Sequence, residues 1–150
     1  MSKSFGLPGL RIGWIATKNK TIYNSMASFK DYTTICNPAP SEFLATEALK
    51  KKDEILSRNS DIILSNLKLL DSFFDKHKNF FNWLKPKAGP IAFPSVINQS
   101  SENFCKSLLE SKSVLLLPSI HYNSGDNNFR IGFGRKNFKE GLEKTEEFFI

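Results

Sequence analysis

Apolar residues occupy every second position in two short segments near the ends of the chain, and this alternation predicts two strands. The segments are residues 10–16 (LRIGWIA) and 129–134 (FRIGFG). In the second segment Phe129, Ile131 and Phe133 are expected to share one face, because successive side chains of a strand point to opposite faces. Each segment is therefore expected to bury one apolar face.

The middle of the chain follows a helical period instead. Apolar residues fall at steps of four, three and four along one stripe, at Ile63, Leu67, Leu70 and Phe74. This spacing predicts one long helix over 51–78. A helix of that length spans about 40 Å at 1.5 Å per residue, which suits a connector between two bodies better than an element of one small domain.

The remaining segments are predicted from shorter patterns and from turn residues. We expect helices at 21–30, 102–111 and 138–149, and a further helix that begins at Glu42 with Ser41 as its N-cap. Loops are expected at 31–43 and 121–128. A turn followed by a strand is expected within 85–97, and a buried strand at 113–118. Residues 80–150 thus indicate a small α/β unit of two or three strands with helices on one side.

The two predicted strands carry the same local design, LRIGW and FRIGF, with one arginine beside glycines on the face opposite the apolar residues. A guanidinium offers a planar set of donors that matches carboxylate or phosphate, and glycine in a strand often marks the close approach of a ligand. Arg11 and Arg130 are therefore candidate anion sites. The alternative, left open by spacing, is that each arginine pairs with an acidic residue on the surface.

The net charge of +6 and pI of about 9.3 raise the question of a nucleic-acid partner. The lysines are dispersed, however, and the densest run, 50–52, lies within a helical pattern. The sequence contains no helix-turn-helix, zinc finger or aromatic-basic platform. We therefore expect no nucleic-acid binding.

Composition also argues against a membrane or metal protein. No apolar run approaches the ~20 residues needed to span a bilayer, and the first residues do not resemble a signal peptide, so we expect a cytoplasmic location. Cys36 and Cys105 lie far apart and match no metal spacing with His77 or His121. We expect two reduced structural thiols and no metal site.

The opening string SKSFGLPGLRIGW resembles the lysine signature of the fold-type-I, pyridoxal-phosphate-dependent aminotransferases of class I/II. Lys3 is followed by Arg11 after eight residues, as in the family pattern, with glycines at the family positions. The segments APSEFLATEALKKKDEIL, KAGPIAFP and NNFRIGFGRKNFKEGLEKTEEFF also resemble this group. The resemblance covers essentially all 150 residues and implies the C-terminal portion of such an enzyme.

The resemblance implies a role for four residues. Lys3 is expected to form the Schiff base (aldimine) with pyridoxal 5′-phosphate, and Arg11 with Ser2 to hold the cofactor's phosphate. Arg130 is expected to bind the substrate α-carboxylate, and Arg135 to remain on the surface or to lie behind the residues that contact the substrate. The implied reaction moves an amino group between an amino acid and a 2-oxo acid.

The resemblance also implies an α/β fold with three parts. Residues 1–50 correspond to the end of the large cofactor-binding domain, 51–78 to an interdomain helix, and 79–150 to the small C-terminal domain. The loop 32–37 corresponds to a segment near the partner subunit's site in a homodimer. Most of the large domain precedes the lysine in this family, so the chain is expected to represent about the last two-fifths of an enzyme.

We expect the chain by itself to be inactive and to oligomerise, because the acidic partner of the pyridine nitrogen precedes the lysine in this family and a strand at 10–16 would lack its sheet neighbours. Two alternatives remain at this point. One is a pyridoxal-phosphate-dependent synthase or lyase of the same fold, which shares the lysine and both arginines. The other is a non-catalytic remnant that acts as a binding or oligomerisation module.

Overall fold

The computed structural model describes residues 1–150 and contains two compact units, Met1–Asn59 and Ser60–Ile150. The helices are α1 (Lys20–Thr33), α2 (Ala39–Lys50), α3 (Lys52–Lys76), α4 (Ser101–Lys112) and α5 (Phe138–Glu146). The strands are β1 (Phe81–Asn82), β2 (Ile91–Ala92), β3 (Ser95–Val96), β4 (Leu117–Pro118) and β5 (Phe129–Gly132). Short 3-10 helices occupy Pro8–Leu10, Ser119–Tyr122 and Glu147–Phe149. None of the helices combines the length and the hydrophobicity needed to cross a membrane.

The first unit is helical. Helix α1 begins after Asn19, whose side-chain oxygen accepts a hydrogen bond from the Ile22 amide at 3.1 Å and so satisfies one of the unpaired amides of the first turn. The predicted helix at 21–30 is confirmed, and it continues to Thr33. Few side chains of this unit are buried, among them Phe5, Ala45 and Ala48.

The predicted strand at 10–16 is wrong. Leu10, the first residue of the predicted strand, is the last residue of the 3-10 helix Pro8–Leu10, and Arg11 after it has a left-handed backbone conformation. Residues 12–18 form no regular secondary structure. A strand needs a hydrogen-bonded neighbour, and the first unit contains no strand that could pair with this segment. Trp14 and Ile15 consequently remain exposed.

The predicted start of helix α2 is also wrong. The helix begins at Ala39 with Pro38 as its N-cap, so the predicted loop ends earlier than residue 43. Ser41 is already inside the helix and donates its amide to the Pro38 carbonyl at 3.0 Å. Pro40 is tolerated because the first-turn amides have no intrahelical acceptor, so a proline there loses no hydrogen bond.

The long helix predicted at 51–78 is confirmed as α3, which measures about 38 Å for its 25 residues at 1.5 Å per residue. On the predicted stripe, Leu67, Leu70 and Phe74 are buried, and Ile63 is partly buried against the same core. Its proposed role as an interdomain connector remains a prediction.

The second unit is built on a three-stranded antiparallel sheet with the order β2-β5-β4, beside a two-stranded antiparallel ladder of β1 and β3. The central strand β5 pairs on one side with β2, with Ile91 opposite Gly132. On its other side β5 pairs with β4, with Leu117 opposite Arg130. The predicted mixture of strands and helices in residues 80–150 is confirmed, but the predicted two or three strands are wrong in number, because five short strands form two sheets.

The predicted strand at 129–134 is confirmed, together with its two faces. Phe129, Ile131 and Phe133 are buried, whereas Gly132 and the intervening Arg130 reach the surface. The buried face packs on an aromatic core that includes Phe73, Phe74, Phe81 and Phe104. This core accounts for many of the fourteen phenylalanines.

The prediction of a buried strand at 113–118 is wrong in extent and in burial. Only Leu117 and Pro118 pair with β5, and Leu115 is 70% exposed. Strand β4 lies at the edge of the sheet and is hydrogen-bonded only to β5. Continuous apolar composition is typical of strands buried on both faces, but here one face remains open.

Helices α4 and α5 occur where the sequence predicts them. Ser100 caps α4 by accepting a hydrogen bond from the Asn103 amide at 3.2 Å. Helix α5 continues into the 3-10 turn Glu147–Phe149, which extends the predicted segment to its expected end. The predicted loop at 121–128 is confirmed from residue 123 onward, whereas residues 121 and 122 belong to the 3-10 helix Ser119–Tyr122.

Candidate functional site

The candidate lysine lies in a tight turn at the start of the first unit. The Gly6 amide donates to the Lys3 carbonyl at 3.1 Å, and the Leu7 amide donates to the Met1 carbonyl at 3.3 Å. Gly6 has a φ of +66°, a conformation that favours glycine because other residues would place a Cβ against the backbone. The first glycine of the motif therefore makes the turn that presents Lys3.

Asn59 holds this turn from helix α3. Its side-chain nitrogen donates to the Ser4 carbonyl at 2.8 Å. Its oxygen accepts hydrogen bonds from Nε and Nη2 of Arg58 at 3.3 and 3.1 Å, which orients the amide. Phe5 is buried beside the turn. Backbone geometry and one side-chain clamp together fix the residues on either side of Lys3.

The Lys3 side chain itself is exposed and takes part in no ion pair or side-chain hydrogen bond. The neighbouring Ser2 is partly exposed. The amine of Lys3 is therefore open to a small molecule, and no acidic side chain pairs with it.

Arg11 lies at the end of the 3-10 helix Pro8–Leu10 and not in a strand. Its amide donates to the Pro8 carbonyl at 3.3 Å, and its Nη1 donates to the same oxygen at 3.1 Å. Its φ of +50° is uncommon for a residue with a side chain. No acid pairs with Arg11, so the remaining donors of its exposed guanidinium are available for an anion.

Arg130 lies at the centre of the second unit's sheet. It occupies the second position of β5, opposite Leu117, and is partly exposed. Its Nη1 lies 3.5 Å from the Tyr122 hydroxyl, and no acidic residue pairs with it. A Cβ at Gly132 would meet nothing within 4 Å, which is the open space expected beside this arginine. A Cβ at Gly134 would lie 2.8 Å from the Pro90 side chain, so this glycine serves close packing.

A cavity of about 600 Å³ opens beside Arg130 within the second unit. Strand residues Leu117 and Gly132 line one part of it, and Phe138 and Leu142 of α5 line another. The charged residues at its wall are Arg130, Arg135, Glu140 and Lys144. The cavity thus combines an apolar lining with an excess of positive charge.

The candidate residues fall into two groups. Ser2, Lys3 and Arg11 belong to the first unit, and Arg130 belongs to the second. Within the first unit, Lys3 and Arg11 lie on consecutive turns, and no hydrogen bond connects their side chains.

Sequence reasoning missed three residues that position these groups. Asn59 holds the Lys3 turn, and Tyr122 contacts Arg130. Asn66 is buried and donates to the carbonyls of Phe133 and Arg135 at 2.9 and 2.8 Å, which fixes the end of β5. The only signal for Asn59 and Asn66 is an asparagine inside a strongly periodic helix, where its helix propensity is low.

The remaining titratable groups maintain the structure of the second unit. Partial burial opposes ionisation of Glu146, but hydrogen bonds from Lys76 and His77 outweigh it and hold its pKa below the usual range. Asp71 has a lowered pKa for the same reason, with Lys85 and Trp83 as the donors. Burial raises the pKa of Cys105 to about 11. No group of three or more His, Cys, Asp or Glu is placed to hold a metal ion.

Comparison with known proteins gives a consistent result. The model of the family described as "Aminotransferase class I and II" matches residues 1–144. The chain is 25% identical over 150 residues to capreomycidine synthase from Streptomyces vinaceus, covering 98% of the chain and 38% of that protein. It is 29% identical over 153 residues to LL-diaminopimelate aminotransferase from Natranaerobius thermophilus, covering 99% and 39%.

A solved structure shows the same likeness in three dimensions. The PLP-dependent aminotransferase from Streptococcus suis superposes with a TM-score of 0.88 and 33% sequence identity, over 98% of this chain and 39% of that one. The chain therefore spans about two fifths of the length of the relatives it matches.

Proposed function

Since the chain belongs to the class I and II aminotransferases, we propose that it forms the C-terminal portion of a pyridoxal-phosphate-dependent enzyme that moves an amino group between an amino acid and a 2-oxo acid. The observation that carries this proposal is the free amine of Lys3 on a glycine turn, followed after eight residues by the unpaired guanidinium of Arg11.

The donors of the first unit fit the proposed cofactor in their chemistry. The Lys3 amine can react with an aldehyde, and the Arg11 guanidinium together with the Ser2 hydroxyl can donate to a phosphate. Pyridoxal phosphate supplies an aldehyde and an electron-withdrawing ring when it is bound. We assign the phosphate to Arg11 and Ser2 and the aldehyde carbon to Lys3.

In this proposal Lys3 has two tasks. With the cofactor bound, its Nζ would be the group that holds the aldehyde carbon. The same Nζ would take the proton from the substrate α-carbon and later return it. Both steps need an unprotonated amine.

Arg130 is proposed to bind the substrate α-carboxylate in a two-pronged hydrogen-bonded pair. Its position at the centre of a sheet, next to the open face at Gly132, supports this assignment. Helix α3 is proposed as the interdomain connector, and residues 79–150 as a small domain whose movement closes the site over substrate. The complete enzyme is proposed to be a homodimer.

The proposal concerns the complete enzyme, because the chain spans about two fifths of its relatives. The chain by itself is expected to give no turnover of an amino donor, since the group that would protonate the cofactor's pyridine nitrogen is not assigned to any of its residues.

A second candidate is a synthase of the same fold, which the similarity to capreomycidine synthase favours. Such an enzyme would use Lys3, Arg11 and Arg130 in the same way but would not need a 2-oxo acid as amino acceptor. Dependence of product formation on an added 2-oxo acid, measured with the complete enzyme, separates the two.

The assignment of Arg11 is tested by comparing pyridoxal phosphate with pyridoxal, which lacks the phosphate. Arg11→Gln is expected to weaken binding of pyridoxal phosphate about tenfold or more, because a hydrogen bond to a charged group contributes ~1.5–3 kcal/mol. Binding of pyridoxal should be unchanged. Lys18→Gln removes the same charge from an exposed residue of the same unit and is the matched control.

Calorimetric titration of the three proteins with both compounds gives the affinities. Equal affinity of the wild-type chain for pyridoxal phosphate and pyridoxal, or equal losses in the Arg11 and Lys18 variants, would contradict the assignment of the phosphate to Arg11.

A further inference from the structure

The side chains that flank Arg130 are apolar or aromatic. In the register of the sheet, Leu117 lies opposite Arg130 on β4. On the other side, Ala92 lies opposite Ile131, and one further step of this register brings Phe93 opposite Arg130. Paired residues of an antiparallel ladder point to the same face, so the guanidinium leaves the sheet between Leu117 and Phe93.

Tyr122 is the third side chain that lies next to Arg130. Its hydroxyl lies 3.5 Å from Nη1 of Arg130, and its ring meets that of Phe93 edge to face, with the centroids 5.8 Å apart. The ring of Phe93 therefore supports Tyr122 where it contacts the arginine. We call Phe93, Leu117 and Tyr122 the apolar collar. Their side chains are 40%, 37% and 44% exposed, so each offers surface to a ligand.

The charges of the cavity lie outside the collar. Arg135 belongs to the loop after β5, and Glu140 and Lys144 belong to α5. None of the three is a cross-strand neighbour of Arg130. The side chains next to Arg130 on the sheet are therefore apolar or aromatic, and the other charged residues of the cavity lie on the side of α5.

We propose that the apolar collar makes the Arg130 site select 2-oxo and 2-amino acids with apolar or aromatic side chains over dicarboxylic ones. The inference rests on the proposed function of Arg130 as the carboxylate-binding residue. An apolar substituent gains by leaving water against Phe93, Leu117 and Tyr122, none of which carries a charge that could pair with a second carboxylate.

The test uses the 150-residue chain and three 2-oxo acids: phenylpyruvate, 4-methyl-2-oxopentanoate and 2-oxoglutarate. Amide chemical shifts followed during titration give the affinity and the location of binding. We expect the two apolar acids to bind at least about fivefold more tightly than 2-oxoglutarate, with shift changes centred on the collar and Arg130.

Two variants and a control separate the roles of the arginine and the collar. Arg130→Gln should abolish binding of all three acids. Leu117→Gln should weaken the apolar acids about fivefold and leave 2-oxoglutarate unchanged. Leu109→Gln alters a leucine of similar exposure on α4, outside the cavity, and should change none of the three affinities.

The results of this experiment test the selectivity and the carboxylate-binding role of Arg130 separately. Equal affinity for the three acids, all lost in Arg130→Gln, would overturn the selectivity and leave the carboxylate role of Arg130 intact. Binding that survives Arg130→Gln would overturn both. The inference is also overturned if 2-oxoglutarate binds most tightly or if none of the acids binds saturably.

Discussion

At the scale of single residues, asparagine side chains fix the backbone segments that present the candidate groups. Asn59 bonds the turn that carries Lys3, and Asn66 bonds two carbonyls at the end of the strand that carries Arg130. Asn128 donates to the Phe93 carbonyl at 3.1 Å and so holds one side of the collar. Each of these bonds joins a local segment to another element, so rigidity at the proposed sites depends on a few polar contacts.

Replacing Asn66 with alanine is expected to destabilise the second unit by roughly 1–3 kcal/mol, because the carbonyls of Phe133 and Arg135 would lose their shared donor in a buried place. Urea unfolding followed by circular dichroism measures the free energy. Asn103→Ala, on the exposed face of α4, is the control. Equal stability of the two variants would show that the Asn66 bonds contribute nothing.

Acid should destabilise the second unit through Asp71 and Glu146, whose pKa values in the folded state lie below the ordinary 3.8 and 4.5. Burial opposes ionisation of both groups, but hydrogen bonds outweigh it. The donors are Lys85 and Trp83 for Asp71, and Lys76 and His77 for Glu146. The unfolded state then binds protons more readily than the folded state as the pH falls. The stabilisation is complete above the ordinary pKa values and is lost as the pH falls through the lowered ones.

The variants Asp71→Asn and Glu146→Gln should therefore flatten the dependence of the unfolding free energy on pH below about 4.5. Denaturant unfolding at a series of acidic pH values measures this slope. Asp75→Asn changes an exposed carboxylate on α3 that has no ion pair and serves as the control. A slope unchanged in the first two variants would contradict the role given to these two carboxylates.

Resemblance and local pattern together named Lys3, Arg11 and Arg130 as site residues, and those assignments remain predictions. Neither source could identify Tyr122 or Asn66, because their partners lie 8 and 67–69 residues away along the chain. Contacts of that kind depend on how the elements fold together and leave no periodic trace in the sequence.

At the scale of elements, burial separates neighbouring residues of the same helix. On α4, Leu108 is fully buried in the core of the second unit, and Leu109 is 43% exposed. Leu108→Ala is expected to cost roughly 2–5 kcal/mol through lost burial and the cavity left behind, and Leu109→Ala less than about 1 kcal/mol. Thermal and urea unfolding of the two variants provide the comparison. Similar losses would contradict the assigned face of α4.

The same principle explains which elements could be predicted from the sequence. Helices α1, α3, α4 and α5 and the strand β5 each carry a pattern that the structure uses, with one face buried or an end capped by a side chain. The segment 10–16 carries an equally clear strand pattern but has no partner strand in its unit. Alternation indicates which face a strand would bury, and only pairing makes it a strand.

At the scale of the whole molecule, the two compact units differ in their cores. The second unit encloses a connected cluster of buried aromatic and aliphatic side chains. The first unit leaves large apolar residues exposed, including Trp14, Ile15, Phe29 and Tyr32. A chain that spans about two fifths of its relatives is expected to expose surface that is buried in the complete protein.

Lys3 is the residue proposed to react with the cofactor's aldehyde, and every other assignment in the first unit depends on it. The most direct measurement treats the chain with less than one equivalent of pyridoxal phosphate, reduces the product with borohydride, and maps the modified lysine by peptide mass spectrometry. We expect the adduct to form mainly on Lys3, to be absent in Lys3→Arg, and to be rare on Lys18 and Lys20 of the same unit. Labelling spread over the exposed lysines, with no preference for Lys3, would contradict this assignment.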